Sequence, residues 1–369
     1  MLELDNAQMI RGIDRHNMLE KIDLMPEYLA ESATSFKEPM TPKRLPDVDN
    51  IVVVGMGTSA IAAEITLNWL VDQLTIPAVL IRDSRLPSFS NQKSMILAIS
   101  YSGNTQETLE GLLNALQRKC KAVTISSGGN MKRISEMNQV PHIDVRKGLE
   151  PRTAFPFLFT ATSLTLALFS KKRDAAREIQ EASDNLRSLR NQVGRSISHK
   201  VNPAKQLAAS LLDSIPVVYA FRKNAGLARR LKNQLNENSK MPVMLSILPE
   251  TCHNELEAWG KVDQYKSKFS HVFLRMDENE EETIRVEETK KILAEAGMTN
   301  INEVTGVGNT RVSQLLSVTY FVDYLSFYLS ILRGIDPTPW ERIQDLKKRV
   351  LLRTHFEERL ADDMMKKSD

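Results

Sequence analysis

Six consecutive residues, Ser100-Tyr101-Ser102-Gly103-Asn104-Thr105, place three hydroxyls in one short turn. They follow an apolar run at 95–99 that reads as a buried parallel strand. They precede a stretch at 107–116 whose apolar residues recur at helical spacing. A turn entering a helix offers free backbone N–H groups and the positive end of the helix dipole, which together suit a phosphate. Ser100, Ser102 and Thr105 would add side-chain donors without adding charge, and Gly103 would allow a sharp bend. Asn104 with Glu107 also fits a capping pair, so the same residues read about equally as a phosphate site and as a plain helix start.

A second turn has the same character. Gly55-Met56-Gly57-Thr58-Ser59-Ala60 follows the apolar run 51–54 and leads into a helical stretch. It matches the G-x-G-x-x-A form of the dinucleotide fingerprint, and Asp83 falls near the end of the next strand, where a ribose-binding acid would sit. A nicotinamide-dependent dehydrogenase is therefore one reading, and a tight structural turn is another. Thr58 and Ser59 repeat the hydroxyls of the 100–105 turn. Two such turns at neighbouring strand ends suit one small phosphorylated ligand in the crevice of a sheet. Further on, Glu237 falls where a helix carrying Leu227, Leu231 and Leu235 on one face gives out before Pro242. It can project into a crevice, although such a carboxylate taken alone reads as a solvated helix end.

The elements that must position these residues alternate. Apolar runs at 51–54, 77–81, 95–99, 122–126 and 142–145 are separated by helical stretches, which predicts a parallel sheet covered on both faces. A charged helical stretch from 171 to about 200 separates two halves. The rhythm restarts with strands at 215–220, 244–248 and 271–275 and helices at 224–235, 281–296 and 310–333. An N-terminal helical layer is expected over 6–35, before Pro39, Pro42 and Pro46, and one more charged helix from Pro339 onward. At 369 residues the chain suggests two domains.

Lys and Arg exceed Asp and Glu by 49 − 46 = 3, which gives no reason to expect nucleic acid or an anionic membrane as partner. Cys120 and Cys252 make no metal spacing and suit a reducing compartment. Residues 1–5 lack the pattern of a signal peptide, and the apolar region 156–169 is too short to span a bilayer. A cytoplasmic location is expected.

Residues 55–62, the 100–105 turn and Pro151-Arg152 resemble the first sugar-isomerase (SIS) domain of the bifunctional phosphoglucose/phosphomannose isomerases. Asn236-Glu237-Asn238-Ser239-Lys240 and His253-Asn254-Glu255-Leu256-Glu257-Ala258-Trp259 resemble the matching blocks of the second domain. The resemblance runs from about 50 to 350. It implies an α/β fold of two αβα sandwich domains with parallel sheets, plus N- and C-terminal helices. The implied divisions are 1–49, 50–200, 201–338 and 339–369.

The implied activity is aldose–ketose isomerisation of glucose 6-phosphate, and of mannose 6-phosphate, with fructose 6-phosphate, by ring opening and enediol proton transfer. No metal or organic cofactor is implied. Gly57, Thr58, Ser59, Ser100, Ser102 and Thr105 would hold the phosphate. Glu237 would be the base, and Arg152 would stabilise the enediolate with a permanent charge. His253 would open the sugar ring from the neighbouring subunit of a homodimer, with Lys347 assisting. Thr338 would give room for the C1–C2 rotation that mannose 6-phosphate needs. Thr58 departs from the family pattern, which implies Gly there. Asn254, Glu255 and Trp259 read as helix surface and packing. Two competing functions are a phosphosugar-sensing module, which would have no use for Glu237 and His253, and the dehydrogenase, which gives the second hydroxyl turn no role.

Overall fold

The computed structural model describes residues 4–38, 46–261 and 263–365. Mostly apolar runs form nine strands among the described residues, and every pairing between them is parallel. β1 (Asn50–Gly55), β2 (Ala78–Ile81), β3 (Ser94–Ile99), β4 (Lys121–Ser126) and β5 (His142–Asp144) form one sheet in the order β2-β1-β3-β4-β5. β6 (Ile215–Phe221), β7 (Met244–Leu248), β8 (Phe269–Arg275) and β9 (Ile301–Thr305) form the other in the order β7-β6-β8-β9. Ile51 to Val54 and Met95 to Ile99 are buried, as strands with helices on both faces must be.

In the first sheet the chain leaves β1 for β2 on one side, while β3 lies on the other. Helices that start there pass to opposite faces and open a crevice at the carboxyl ends of β1 and β3. The register sets Gly55 opposite Ile99, so both hydroxyl turns begin at the same level. Gly55 lacks a side chain for a local reason: a Cβ there would sit 3.1 Å from the Ile99 carbonyl oxygen.

Between the sheets lies a layer of apolar helices. Helix Phe155–Ala167 is buried at every position. Helix Arg311–Leu332 is long and apolar enough to cross a membrane, yet 94% of its apolar window is buried within the fold. It is a longer apolar helix than the 156–169 region, and an all-round apolar surface suits its place inside the core. One apolar cluster runs from Ile51 through both of these helices to Val218 and Val272.

Several elements differ from the sequence expectation. The N-terminal layer is three helices, Ala7–Ile13, Met18–Asp23 and Met25–Ser35, and Pro39 and Pro42 lie outside the described residues. β9 is an additional strand. The C-terminal tail is two helices, Glu341–Thr354 and Phe356–Met365, parted by His355 with φ +48. Helix Ala225–Glu237 runs two residues further than 235 and includes Glu237.

Candidate active site

The two hydroxyl turns are joined. The Tyr101 amide donates to Ser59 Oγ at 3.2 Å, tying the start of helix Gly57–Leu70 to the 100–105 turn. Asn104 does not cap its helix: the N-cap of helix Gln106–Gln117 is Thr105, with no side-chain capping bond. Asn104 Oδ1 instead accepts from the Asn130 amide at 2.9 Å, which draws the 128–130 turn against this one. Met56, N-cap of helix Gly57–Leu70, also makes no side-chain cap. Two helix N-termini, neither capped by a side chain, thus point at one crevice, the arrangement that favours an anion.

Gly103 is required here. Its φ is +68, and a Cβ would fall 1.8 Å from the Gly128 carbonyl oxygen. The hydroxyls are less free than the sequence suggests. Ser100 Oγ and Thr105 Oγ1 bond each other at 2.9 Å, and Ser102 Oγ accepts from the Asn104 amide at 3.2 Å. Thr58 and Ser59 are buried at the start of their helix, while Gly57 is exposed with φ +50. The Lys147 ammonium lies beside Gly128 and adds a positive charge that the sequence did not flag.

The second group is Arg152, Glu237 and Thr338. Helix Ala225–Glu237 packs antiparallel on helix Gly57–Leu70: the Gly226 amide donates to Asn68 Oδ1 at 3.0 Å, and Arg229 Nε donates to Glu64 Oε1 at 3.0 Å. Equal rise per residue on both helices carries that register to Glu237 at the level of the first turn of helix Gly57–Leu70. Arg152 reaches the same place from the first half, behind Leu149, whose amide donates to the Tyr101 hydroxyl at 2.9 Å. Its guanidinium is only 1% exposed. Nε donates to Asn238 Oδ1 at 2.7 Å, and Nη2 donates to the carbonyls of Pro337 at 2.8 Å and Thr338 at 2.6 Å. Nη1 faces Glu237 Oε2 at 3.4 Å, so the partly exposed Glu237 carboxylate looks onto a buried guanidinium. Burial pulls the Arg152 pKa down, and the Glu237 and Glu150 carboxylates oppose that pull.

Thr338 is buried, and its hydroxyl has no hydrogen-bond partner among the described residues. Its amide is held by Asp336 Oδ1 at 2.9 Å, and the other Asp336 oxygen is 3.2 Å from His16 Nδ1. The Lys240 ammonium bonds the carbonyls of Glu237, Pro337 and Pro339, which ties the 337–339 turn to the end of the helix at Glu237. Burial and the nearby Arg152 charge lower the Lys240 pKa.

His253 and Lys347 do not join this group within one chain. His253 is exposed at the end of a single-turn helix, Glu250–His253, and bonds none of Arg152, Glu237 or Thr338. Lys347 lies on helix Glu341–Thr354, which has no buried residue, and its ammonium sits 5.0 Å from the centre of the Trp340 ring. Glu255 is not helix surface: Oε2 accepts from Ser246 Oγ at 2.9 Å, and Trp259 beside it is buried. Asp83 caps its own loop, accepting from the Ser84 amide at 2.6 Å.

With this geometry the chain is similar over 311 residues to the bifunctional phosphoglucose/phosphomannose isomerase of Aquifex aeolicus, at 32% identity, covering 84% of this chain and 92% of that one. The chain belongs to the bifunctional phosphoglucose/phosphomannose isomerase family. Another relative of that name, from Caldicellulosiruptor bescii, is 29% identical over 335 residues, 90% of this chain and 98% of that one. The model of the bacterial phospho-glucose isomerase C-terminal SIS domain matches residues 200–350, and that of the SIS domain matches 44–168. The fold is therefore the α/β fold of the SIS domain, and the two parallel sheets fall one in each matched region. Among solved structures, a hypothetical protein of Thermus thermophilus shares the fold with a TM-score of 0.70 at 14% identity, covering 94% of this chain and 92% of that one.

Sequence reasoning passed over Lys240, Asn238 and Asp336. Asn238 and Lys240 lie in the block that carries the resemblance but received no role. Asp336 shares its Asp-Pro-Thr-Pro run with Thr338, and that run was the available signal.

Proposed function

We propose that this enzyme interconverts glucose 6-phosphate, and mannose 6-phosphate, with fructose 6-phosphate. The observation that carries the reading is the Glu237 carboxylate set 3.4 Å from the buried Arg152 guanidinium, at the end of a helix whose antiparallel register on helix Gly57–Leu70 runs towards that helix's uncapped N-terminus. The phosphate binds the turns at Gly57, Thr58, Ser59, Ser100, Ser102 and Thr105, with backbone N–H groups as the principal donors. The sugar then extends towards Glu237.

Glu237 takes the proton from C2 of the opened aldose and returns it to C1, while Arg152 Nη1 faces the oxygen that gains charge in the enediolate. The other Arg152 donors hold protein atoms, so Nη1 is the part left to act. His253, from a second copy of the chain, moves the proton between ring oxygen and hydroxyl when the ring opens, with Lys347 assisting. The Thr338 hydroxyl, buried beside the Arg152 contacts, lies where the C1–C2 end of the sugar would turn. The reaction needs no metal or organic cofactor.

The same reading divides the chain at about residues 49, 200 and 338. It makes the enzyme a homodimer of the cytoplasm that serves glycolysis and gluconeogenesis, without nucleic acid or membrane as partner. The test is a coupled assay of both hexose 6-phosphates, with and without chelator. Equal activity in the two conditions is expected, and loss of activity with chelator would refute the mechanism.

A further inference from the structure

We infer that Asn238, backed by the buried Arg230–Asp323 pair, is a positioning device for the Arg152 guanidinium; the inference rests on the isomerase reading above. Arg152 is held at two places from one side. Its side chain is set by Asn238, whose Oδ1 accepts from Nε at 2.7 Å. Its backbone is set by Arg230, whose Nη2 donates to the Arg152 carbonyl at 2.9 Å.

Each holder is itself fixed. Asn238 is fully buried, and its Nδ2 donates to Ser326 Oγ at 2.9 Å. Arg230 grips Asp323 through Nε at 2.9 Å and Nη2 at 2.7 Å, and its guanidinium lies 4.9 Å from the centre of the Phe155 ring. Gln234 Nε2 adds a third bond to Asp323 at 2.7 Å. Arg230, Gln234 and Asn238 recur every four residues, so one face of helix Ala225–Glu237 and its C-cap supplies the whole set. Asp323 and Ser326 answer them from helix Arg311–Leu332, the apolar centre of the molecule.

A buried ion pair adds little net stability compared with apolar packing of the same volume. A charged pair, an amide and a hydroxyl at the centre of the core therefore call for another reason. With the Pro337 and Thr338 carbonyls taking Nη2, what they achieve geometrically is to leave Arg152 Nη1 as the guanidinium nitrogen that faces Glu237. Because Glu237 ends the same helix, base and guanidinium are held by one rigid element.

Steady-state kinetics with fructose 6-phosphate test this. Asn238→Ala is expected to lower kcat roughly 10²-fold, the cost of a misplaced group, with KM changed by less than about threefold. Ser326→Ala, a smaller deletion that keeps the core filled, is expected to lower kcat about tenfold by loosening Asn238, its other bond being to the Asp323 carbonyl in its own helix. In an Arg152→Lys background, Asn238→Ala should add less than about a further threefold, because it acts through Arg152. Equal fractional losses in both backgrounds, or kcat near the parent's for both single variants, would overturn the inference.

A readout independent of turnover separates this inference from the isomerase reading. The Arg152 Nε–H resonance, assigned by its disappearance in Arg152→Lys, is expected to be slow to exchange in the parent and averaged in Asn238→Ala. An inactive parent that shows this contrast defeats the isomerase reading and keeps the positioning role. An active parent without the contrast does the reverse.

Discussion

At the scale of single residues, chemistry here depends on which donors and acceptors remain unspent. Arg152 commits Nε and Nη2 to protein atoms and turns Nη1 to Glu237, and in the proposed reaction that leaves a base with a fixed positive charge beside it. Glu237→Gln keeps the shape and removes the proton acceptor. It is expected to lower kcat by about 10² to 10⁴, while calorimetry still shows fructose 6-phosphate binding; turnover at the parent rate would remove Glu237 as the base. Thr105→Val breaks the 2.9 Å bond to Ser100 and removes a donor from the turn proposed to hold the phosphate. Both ground and transition states carry that phosphate, so KM is expected to rise several-fold with kcat little changed. A fall in kcat alone would place the phosphate elsewhere. The 100–105 turn was legible because strand, turn and helix are contiguous in the chain. Glu237 on its own was ambiguous, since the group that distinguishes it from a solvated helix end, Arg152, lies 85 residues away. Asn238, Asp336 and Lys240 each also bond a group far away in sequence, on Arg152 and Ser326, on His16, and on Pro337 and Pro339 respectively.

At the scale of elements, what the strands and helices do is bring backbone turns together, and that sets the tolerance to change. Gly103→Ala would drive a Cβ into the Gly128 carbonyl at a left-handed φ, forcing the 100–105 and 128–130 turns apart. The expected result is a loss of stability of at least about 1–3 kcal/mol, read by denaturant titration, together with weakened sugar-phosphate binding; a fully stable variant with unchanged KM would show that the turn can move. A second coupling ties the N-terminal segment to the second half. Lys205, fully buried, donates to Asp5 Oδ1 at 2.9 Å and to the carbonyls of Arg195 and Ile197. That bond holds the Asp5 carboxyl at about 2, against the opposing effect of burial. The folded value lies below that of a free carboxylate, so the contribution to stability is present at neutral pH and is lost as pH falls towards about 2. Asp5→Asn should therefore lower the melting temperature at pH 7 and shift it much less near pH 2, and an equal shift at both would show that charge is not the cause. The buried strands were legible from their apolar runs. β9 was not, because Ile301-Asn302-Glu303-Val304-Thr305 is a polar edge strand defined by its pairing with β8. Arg311–Leu332 was read as a helix, but its single buried Asp323 gave no local sign of its partner on another helix.

At the scale of the whole molecule, one chain leaves its parts unevenly covered. Helix Glu341–Thr354 leaves the site at Trp340, and the next helix is anchored on the first half by Phe356 and Leu360 beside Leu109 and Met131. Between these anchors no residue is buried, and Ile343, Leu346 and Val350 are 41%, 62% and 41% exposed on one helical face, with Lys347 among them. An apolar face rimmed by charge suits contact with another protein surface, and the exposed His253 makes no bond to the Arg152–Glu237 group of its own chain. Both features fit a site completed by a second copy, the arrangement that the resemblance of the His253–Trp259 block implies and that apolar periodicity alone does not give. Complementation decides the matter. Glu237→Gln and His253→Ala chains are each expected to be nearly inactive alone. If each site takes Glu237 from one chain and His253 from the other, a mixed dimer holds one site with both groups mutated and one fully intact. Random exchange at equal concentrations makes half the dimers mixed, so activity should recover to about a quarter of the parent's. Recovery should require conditions that let subunits exchange, and it should vanish when each variant is first cross-linked as its own dimer. No recovery after proven exchange would place His253 and Glu237 in the same chain's site or remove His253 from it.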